Sequence, residues 1–397
     1  MPDKILEIYK HNKLLTIGIE EEYQLCNPET GDLINIVDKI MDAADSDLRK
    51  QFSYELLLSV LEVRTGINQS VEEAVSAIAE MRQKSAALAS QFDIVLGLSG
   101  AHPFADWKDQ KFVGTEDYQW VKNQLQYLAR RNITFGLHVH IGIDDPNKAV
   151  RVNNTLRRWI APLMAISANS PFFDGVRTGM MSTRTVQFGT FPRTGIPPHF
   201  NGLEEYLVLV EKYIESGSIT KARHIWWKVR PHLTFGTVEF RMFDVHGSLR
   251  RTGAFIALAQ ALVGQIIDDF DCGKLEQPVN DAYLLDGYWK ARRFGLDCDI
   301  ICPFDGMVCS MRKEVEKMLN FVKQFAEKKG TAIWLEEIED ILENGNGAEQ
   351  TLALAEELGD DLVALQKRMI SEVEYELEEE LVQETVFVKD TINTDFS

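Results

Sequence analysis

The residues best able to do chemistry sit in strand-like, apolar surroundings where charge is unusual. Glu20, Glu21 and Glu22 follow one another inside TIGIEEEYQL, residues 16–25. A strand turns successive side chains to opposite faces, so Glu20 and Glu22 share one face and Glu21 takes the other. Two carboxylates on one face repel unless a cation or proton lies between them. Either this face is a solvated edge, where charge discourages further strand pairing, or it holds something positive. The anomaly recurs. Glu55 and Glu62 lie in FSYELLLSVLEVRT, residues 52–65; an extended chain would put them on opposite faces, and they converge only if it bends or turns between them. His138 and His140 share a face in TFGLHVHIGI (134–143), as do Glu239 and Arg241 in TVEFRMF (237–243). If the four segments are neighbours in one sheet, that face gathers several carboxylates, one or two imidazoles and an arginine.

Carboxylates with few imidazoles and no thiolate suit Mg²⁺ or Mn²⁺ rather than zinc. Mg²⁺ is usually held by a few carboxylates together with substrate phosphates, and arginines are then needed to clamp phosphoryl oxygens. The chain offers Arg177, Arg184 and Arg193 in the irregular 169–200 stretch, with Arg230 and Arg241 near the fourth segment. Such a set makes a phosphoryl-transfer site built on a sheet. Surface solvation is the alternative for each arginine. Neither GxGxxG after a strand nor GxxxxGK[ST] occurs, so no Rossmann or P-loop nucleotide site is signalled.

These segments need a scaffold. Ser70-Val71-Glu72-Glu73 opens an amphipathic helix running to about Phe92. Residues 93–100 read as a buried strand and 115–131 as a helix. Asp145-Pro146 caps a helix reaching about Ala168. The 169–200 loop, rich in Phe and Arg, reads as ordered and functional. Helices follow at 202–215 and 248–270, flanking a strand at 233–245, and two or three more fill 281–385. The irregular alternation predicts an α+β fold with an antiparallel or mixed sheet and a helical C-terminal part.

Composition narrows the function. The 397 residues carry 42 Lys plus Arg against 61 Asp plus Glu, a net charge of −19, which argues against nucleic-acid binding. Asp340–Ser397 has sixteen acids against Lys367, Arg368 and Lys389, and so 13 of those charges; it reads as a solvated helical face with a frayed end, or else as a homodimer contact. The longest apolar stretch, Ala254–Ile267, is interrupted by Gln260 and Gly264 and is too short to span a bilayer. The N-terminus MPDKILEIYKHNKLL has no signal-peptide pattern. Cys26, Cys272, Cys298, Cys302 and Cys309 form no CxxC pair. They read as reduced thiols in a cytoplasmic protein, against a zinc site at Cys298, Cys302 and Cys309.

Taken in order, TIGIEEEYQL, the Glu55–Glu62 segment, SGAHPFADW (99–107), TFGLHVHIGI, ISANSPFFDG (166–175) and WKVRPHLTFGTVEFRMFD (227–244) resemble the type 2 glutamate–cysteine ligase family, the carboxylate–amine ligases of the glutamine synthetase-like superfamily. The resemblance covers about Thr16 to about Phe294. It implies a curved antiparallel sheet binding ATP and more than one Mg²⁺ or Mn²⁺ ion on its concave face, with helices on the convex one. Residues 1–300 would form this core and 301–397 a helical extension packed on it. As metal ligands it implies Glu20, Glu22, Glu55, Glu62, His138 and Glu239. His138, Arg230 and Arg241 would contact ATP, with Arg184 beside them holding phosphates or the substrate carboxylate. His102, His140 and Arg177 fall to the substrate pocket; the other reading has His102 holding its own turn and His140 beside His138 as a ligand. The implied reaction joins L-glutamate, activated as an acyl phosphate, to L-cysteine. The alternatives are another amino acid or amine pair, or a phosphotransferase on the same site.

Overall fold

The computed structural model describes residues 12–274 and 276–377. The leader reading of residues 1–11 and the tail reading from residue 378 onward fall outside the described residues. Seven strands form the main sheet: β1 Ile17–Cys26, β2 Phe52–Tyr54, β3 Val60–Arg64, β4 Val95–Gly97, β5 Gly136–Gly142, β6 Val229–His232 and β7 Thr237–Asp244. Their order is β6-β7-β5-β1-β3-β2, with β4 beside the end of β1, and every pairing is antiparallel. Residues 52–65, expected as one bent strand or a strand plus turn, form a hairpin, β2 and β3 joined through residues 55–59. That turn meets the condition under which Glu55 and Glu62 converge.

The back of the sheet is apolar and closed by helices. Alternate residues such as Ile19, Tyr23, Val139, Ile141, Val238 and Phe240 enter one hydrophobic core, as period-two patterning requires. Against it lie α1 Val71–Ser90, whose cap Ser70 accepts from the Glu73 amide, and the 23-residue helix Leu249–Asp271. The latter runs longer than its apolar stretch suggested, long and apolar enough to cross a membrane, yet 83% of that window is buried inside the protein. It is the central core helix.

The expected 115–131 helix is broken: α2 spans Glu116–Leu125, and Gln126 leaves the helical region at φ 49°. Downstream of residue 281 the chain is more helical than two or three helices. Helices occupy Asp281–Phe294, Met311–Lys329, Ala332–Asn344 and Gly347–Glu357, then 362–377. Met311, Met318, Ile338, Ile341 and Ile370 enter the same core as the sheet. The five cysteines are free, and among the described residues the Cys298–Cys309 region makes no ligand-spaced group.

Glu21 shows what the back face does with a charge. Wholly buried, it takes two hydrogen bonds from Arg82 of α1, at 2.7 and 2.9 Å, and one from the Tyr23 hydroxyl at 3.0 Å. Arg82 in turn donates to the His246 carbonyl at 2.8 Å and to that of Gly247. A carboxylate is stable there because its counter-charge is built in.

Candidate active site

Register carries the charged residues onto the opposite face. Glu20 lies across from His138 of β5 on one side and Arg64 of β3 on the other, with Glu22 across from Glu62. Further out, His140 faces Glu239, which faces Arg230 of β6. These residues line a cleft of about 450 Å³ together with Glu55, Arg241 and His232.

Two groups within the cleft have metal-ligand spacing. Glu20, His140 and Glu239 bring one ligand atom each within 4.8 Å of one another, and so do Glu22, Glu55 and Glu62. Of the two histidines, His140 falls within a ligand-spaced group, whereas His138, expected as a ligand, lies between the two groups, with Nδ1 3.2 Å from Glu20 and Nε2 3.8 Å from Glu22. The register places His140 directly opposite Glu239 and His138 directly opposite Glu20. The His140 ring is oriented by Thr237 Oγ1 at 3.0 Å from Nδ1. Its buried Nε2 has no hydrogen-bond partner, although Glu20 and Glu239 oxygens lie 3.8 and 3.9 Å away. An unpartnered imidazole nitrogen aimed between two carboxylates fits a metal ion.

The two triads differ in charge balance. Burial alone would raise Glu239, but Arg230, Arg241, His140 and His232 outweigh it and hold the carboxyl well below its ordinary range. Burial also works against ionised Glu20, where the neighbouring His138 and His140 imidazoles prevail and hold its pKa low. Glu22 goes the other way: burial, then the neighbouring Glu55 charge, pushes it up to about 8. Glu62 is raised well above the ordinary value by burial and by Glu20, Glu55 and Glu22, and Glu55 is raised chiefly by burial. This second group has too little positive charge of its own and requires a proton or an external cation.

Arg230 grips Glu239 with Nε at 2.6 Å, and Arg241 donates to the same carboxylate. Arg184 lies buried behind them, donating to the Arg241 carbonyl at 3.3 Å, with His138 Nε2 3.5 Å away. Its guanidinium occupies the space that a side chain at Gly136 would fill. Asp244 holds the long loop in place, accepting from the Asn169 amide at 2.8 Å, the Ser170 hydroxyl at 2.7 Å and the Ser182 hydroxyl at 3.0 Å.

Three expected contributors lie elsewhere. Arg177 is an exposed residue paired with Asp360 and Glu356, because its two-residue strand faces the C-terminal helices. Arg193 packs over the Tyr213 ring. His102 is buried and holds its own turn: Nδ1 accepts from the Phe104 and Ala105 amides, and Nε2 lies 2.8 Å from the Gly31 carbonyl. Arg64 and His232 were missed, although each stands two residues from a recognised one, Glu62 and Arg230, and so shares its face. Tyr118, 2.8 Å from Glu55, comes from a distant helix and left no signal in the strand pattern.

A sequence model described as Glutamate-cysteine ligase family 2 (GCS2) matches residues 16–370. The chain belongs to glutamate–cysteine ligase family 2. The match runs well past the Phe294 limit of the sequence motifs and takes in the C-terminal helices. A relative from Solibacter usitatus named "Putative glutamate--cysteine ligase 2" is 36% identical over 364 residues, 91% of this chain and 94% of its own. One of the same name from Thermobifida fusca is 33% identical, covering 88% and 89%. Among solved structures, glutamate–cysteine ligase from Francisella tularensis, in complex with AMP, has a TM-score of 0.67 at 12% identity, covering 96% of this chain and 95% of that one. The bifunctional glutathione synthetase from Pasteurella multocida has a TM-score of 0.70 at 13% identity, covering 94% and 54%. This family member therefore shares the α+β fold of those enzymes.

Proposed function

We propose that the protein is an ATP-dependent carboxylate–amine ligase joining L-glutamate to L-cysteine through an acyl phosphate, with Mg²⁺ or Mn²⁺ at both triads. The carrying observation is the pair of ligand-spaced triads on one β-face beside Arg230 and Arg241. Family membership supports a ligase, and the AMP complex of the Francisella enzyme supports a nucleotide in the cleft. Glu20, His140 and Glu239 would hold one ion and Glu22, Glu55 and Glu62 another; bound there, such ions neutralise phosphate charge and orient the triphosphate.

The protein's own groups then do four things. Arg241 and Arg230 offer guanidinium donors to phosphoryl oxygens. Arg184, resting on the Arg241 carbonyl, fixes the place from which Arg241 reaches. His138, tied to Glu20, keeps both triads in register. The substrate carboxylate takes the terminal phosphoryl group and ADP leaves; the amine then attacks the acyl carbon, loses a proton and expels phosphate. Carboxylates are poor electrophiles, which is why the activation is needed, and no protein nucleophile is required. Five free cysteines fit a reducing, cytoplasmic setting.

Incubation with Mg–ATP, glutamate and candidate amines, reading ADP and product mass, tests this. Amine-dependent ADP release with an amide product is expected. ADP release indifferent to every amine, with a phosphorylated product, would make the site a phosphotransferase. Unchanged metal-dependent turnover in Glu20→Gln and Glu239→Gln would remove the site assignment.

A further inference from the structure

The cleft is lined by two segments outside the sheet as well as by the strands. One is α2, of which only Val121 and Leu125 are buried. It has a joint at each end: Gly114, with open space around it, and Gln126, where the helix breaks. The other is the segment 218–226. The two meet beside the cleft. Asp117 pairs with Lys221 at 2.7 Å and with Arg223, and Trp120 stacks on His224 at 4.2 Å with their planes 10° apart.

Each of these segments also hangs from one triad. Tyr118 of α2 has its hydroxyl 2.8 Å from Glu55 and 2.7 Å from the adjacent Tyr54 carbonyl. Arg230, which grips Glu239, donates its Nη1 to the Arg223 carbonyl at 2.8 Å and to the Ile225 carbonyl. So Glu55 reports to one segment and Glu239 to the other. Asp117, Lys221 and Arg223 are 41, 51 and 53% exposed, and exposed ion pairs contribute little net stability. Val121 and Leu125 anchor α2 in the core, with Tyr118 and Trp120 packed partly against it, so its attachment to segment 218–226 is the part that opens at low cost.

We propose that α2 and segment 218–226 form a lid, closed by the Asp117 and Trp120 contacts and seated on the two triads through Tyr118 and Arg230, whose closure keeps water from the activated carboxylate. Tyr118 is a positioning residue acting through Glu55. This rests on the ligase reading. Water attacking the acyl phosphate forms a new C–O bond, expels phosphate and gives its proton to solvent; the net result is ATP hydrolysis with the acid regenerated. A ligase that leaves this path open consumes ATP without making amide.

Two measurements test the lid. Hydrogen exchange with Mn²⁺ alone needs no turnover. Amides of 116–125 and 221–226 should slow by about fivefold or more in the wild-type protein and stay fast in Tyr118→Phe; no slowing in the wild type, or equal slowing in both, overturns the seating. The second is the ratio of ADP to amide with Mg–ATP, glutamate and cysteine. It should be near one in the wild type, rise about threefold or more in Asp117→Asn and Trp120→Ala, and return in Asp117→Glu. Asp117 is exposed, so its variant folds even if Trp120→Ala does not. Ratios near one in folded variants overturn the lid. A wild type that makes no amide counts against the ligase reading, and hydrogen exchange then decides the lid alone.

Discussion

Protons and divalent ions should compete for the Glu22, Glu55 and Glu62 group. Glu22 rises from an ordinary 4.5 to about 8 because it is buried and close to the Glu55 charge. A raised carboxyl favours the fold when protonated. That contribution to the metal-free protein is complete below about 4.5 and is lost as pH climbs through about 8. A bound ion needs the ionised form, so it replaces the proton over the same interval. At pH 6, two units below 8, about one Glu22 in a hundred is ionised, against about half at pH 8; Mn²⁺ should bind this group about 50-fold more weakly at pH 6 than at pH 8, with Glu62 steepening the trend. Glu20 and Glu239 are held ionised by their neighbours, so their carboxylates bring no such dependence to the other triad. Calorimetric titration of Mn²⁺ at pH 6 and pH 8, in two buffers of different ionisation enthalpy, resolves both affinity and released protons. One steep and one shallow site are expected, and Glu55→Gln should remove the steep one. Two sites that both change by less than about threefold, with no buffer-dependent heat, would refute the charge balance described here.

The Arg82–Glu21 pair gives a stability prediction. Arg82→Met leaves Glu21 charged and buried, and denaturant unfolding should show a loss of about 3–5 kcal/mol; adding Glu21→Leu should restore much of it. Gly136→Ala should displace the Arg184 guanidinium that occupies its Cβ position, costing about 1–3 kcal/mol and lowering turnover far more than Arg177→Gln. The latter removes exposed pairs with Glu356 and Asp360 and should change stability by under about 1 kcal/mol, with kcat and KM for ATP unchanged.

Much of the site was legible because strands alternate. The rule that sends Glu20 and Glu22 one way and Glu21 the other requires no tertiary knowledge, and it also held Arg64 and His232 in reserve beside Glu62 and Arg230. What alternation cannot give is the partner across a ladder. His138 and His140 are equivalent along β5, and only the register opposite Glu239 sets His140 in a triad. Glu55 depended on a turn that the apolar run ELLLSV, residues 55–60, does not advertise with glycine or proline. Arg177 was grouped with Arg184 by proximity in the chain, but a short strand pair carries it to the C-terminal helices while Asp244 holds Ser182 and Arg184 on the site side. The α2 cover was legible only as a helix; its break at Gln126 depends on local geometry that no side-chain period encodes.

The sorting of carboxylates by their cations joins these observations. Glu21 has Arg82, a permanent partner within the fold, and belongs to the core. Glu239 has Arg230 and Arg241, which also reach the cleft, so its counter-charges can be shared with an arriving phosphate. Glu22, Glu55 and Glu62 raise one another's pKa values and lack a dedicated cation close by. A fold that buries three acids this way is less stable than one with amides in their place unless something positive arrives from outside. The Glu-Glu-Glu run of β1 therefore divides along one strand, its middle residue paired in the core and its outer two lining the cleft, and the place where internal positive charge runs short is the place where a divalent ion has the most to contribute.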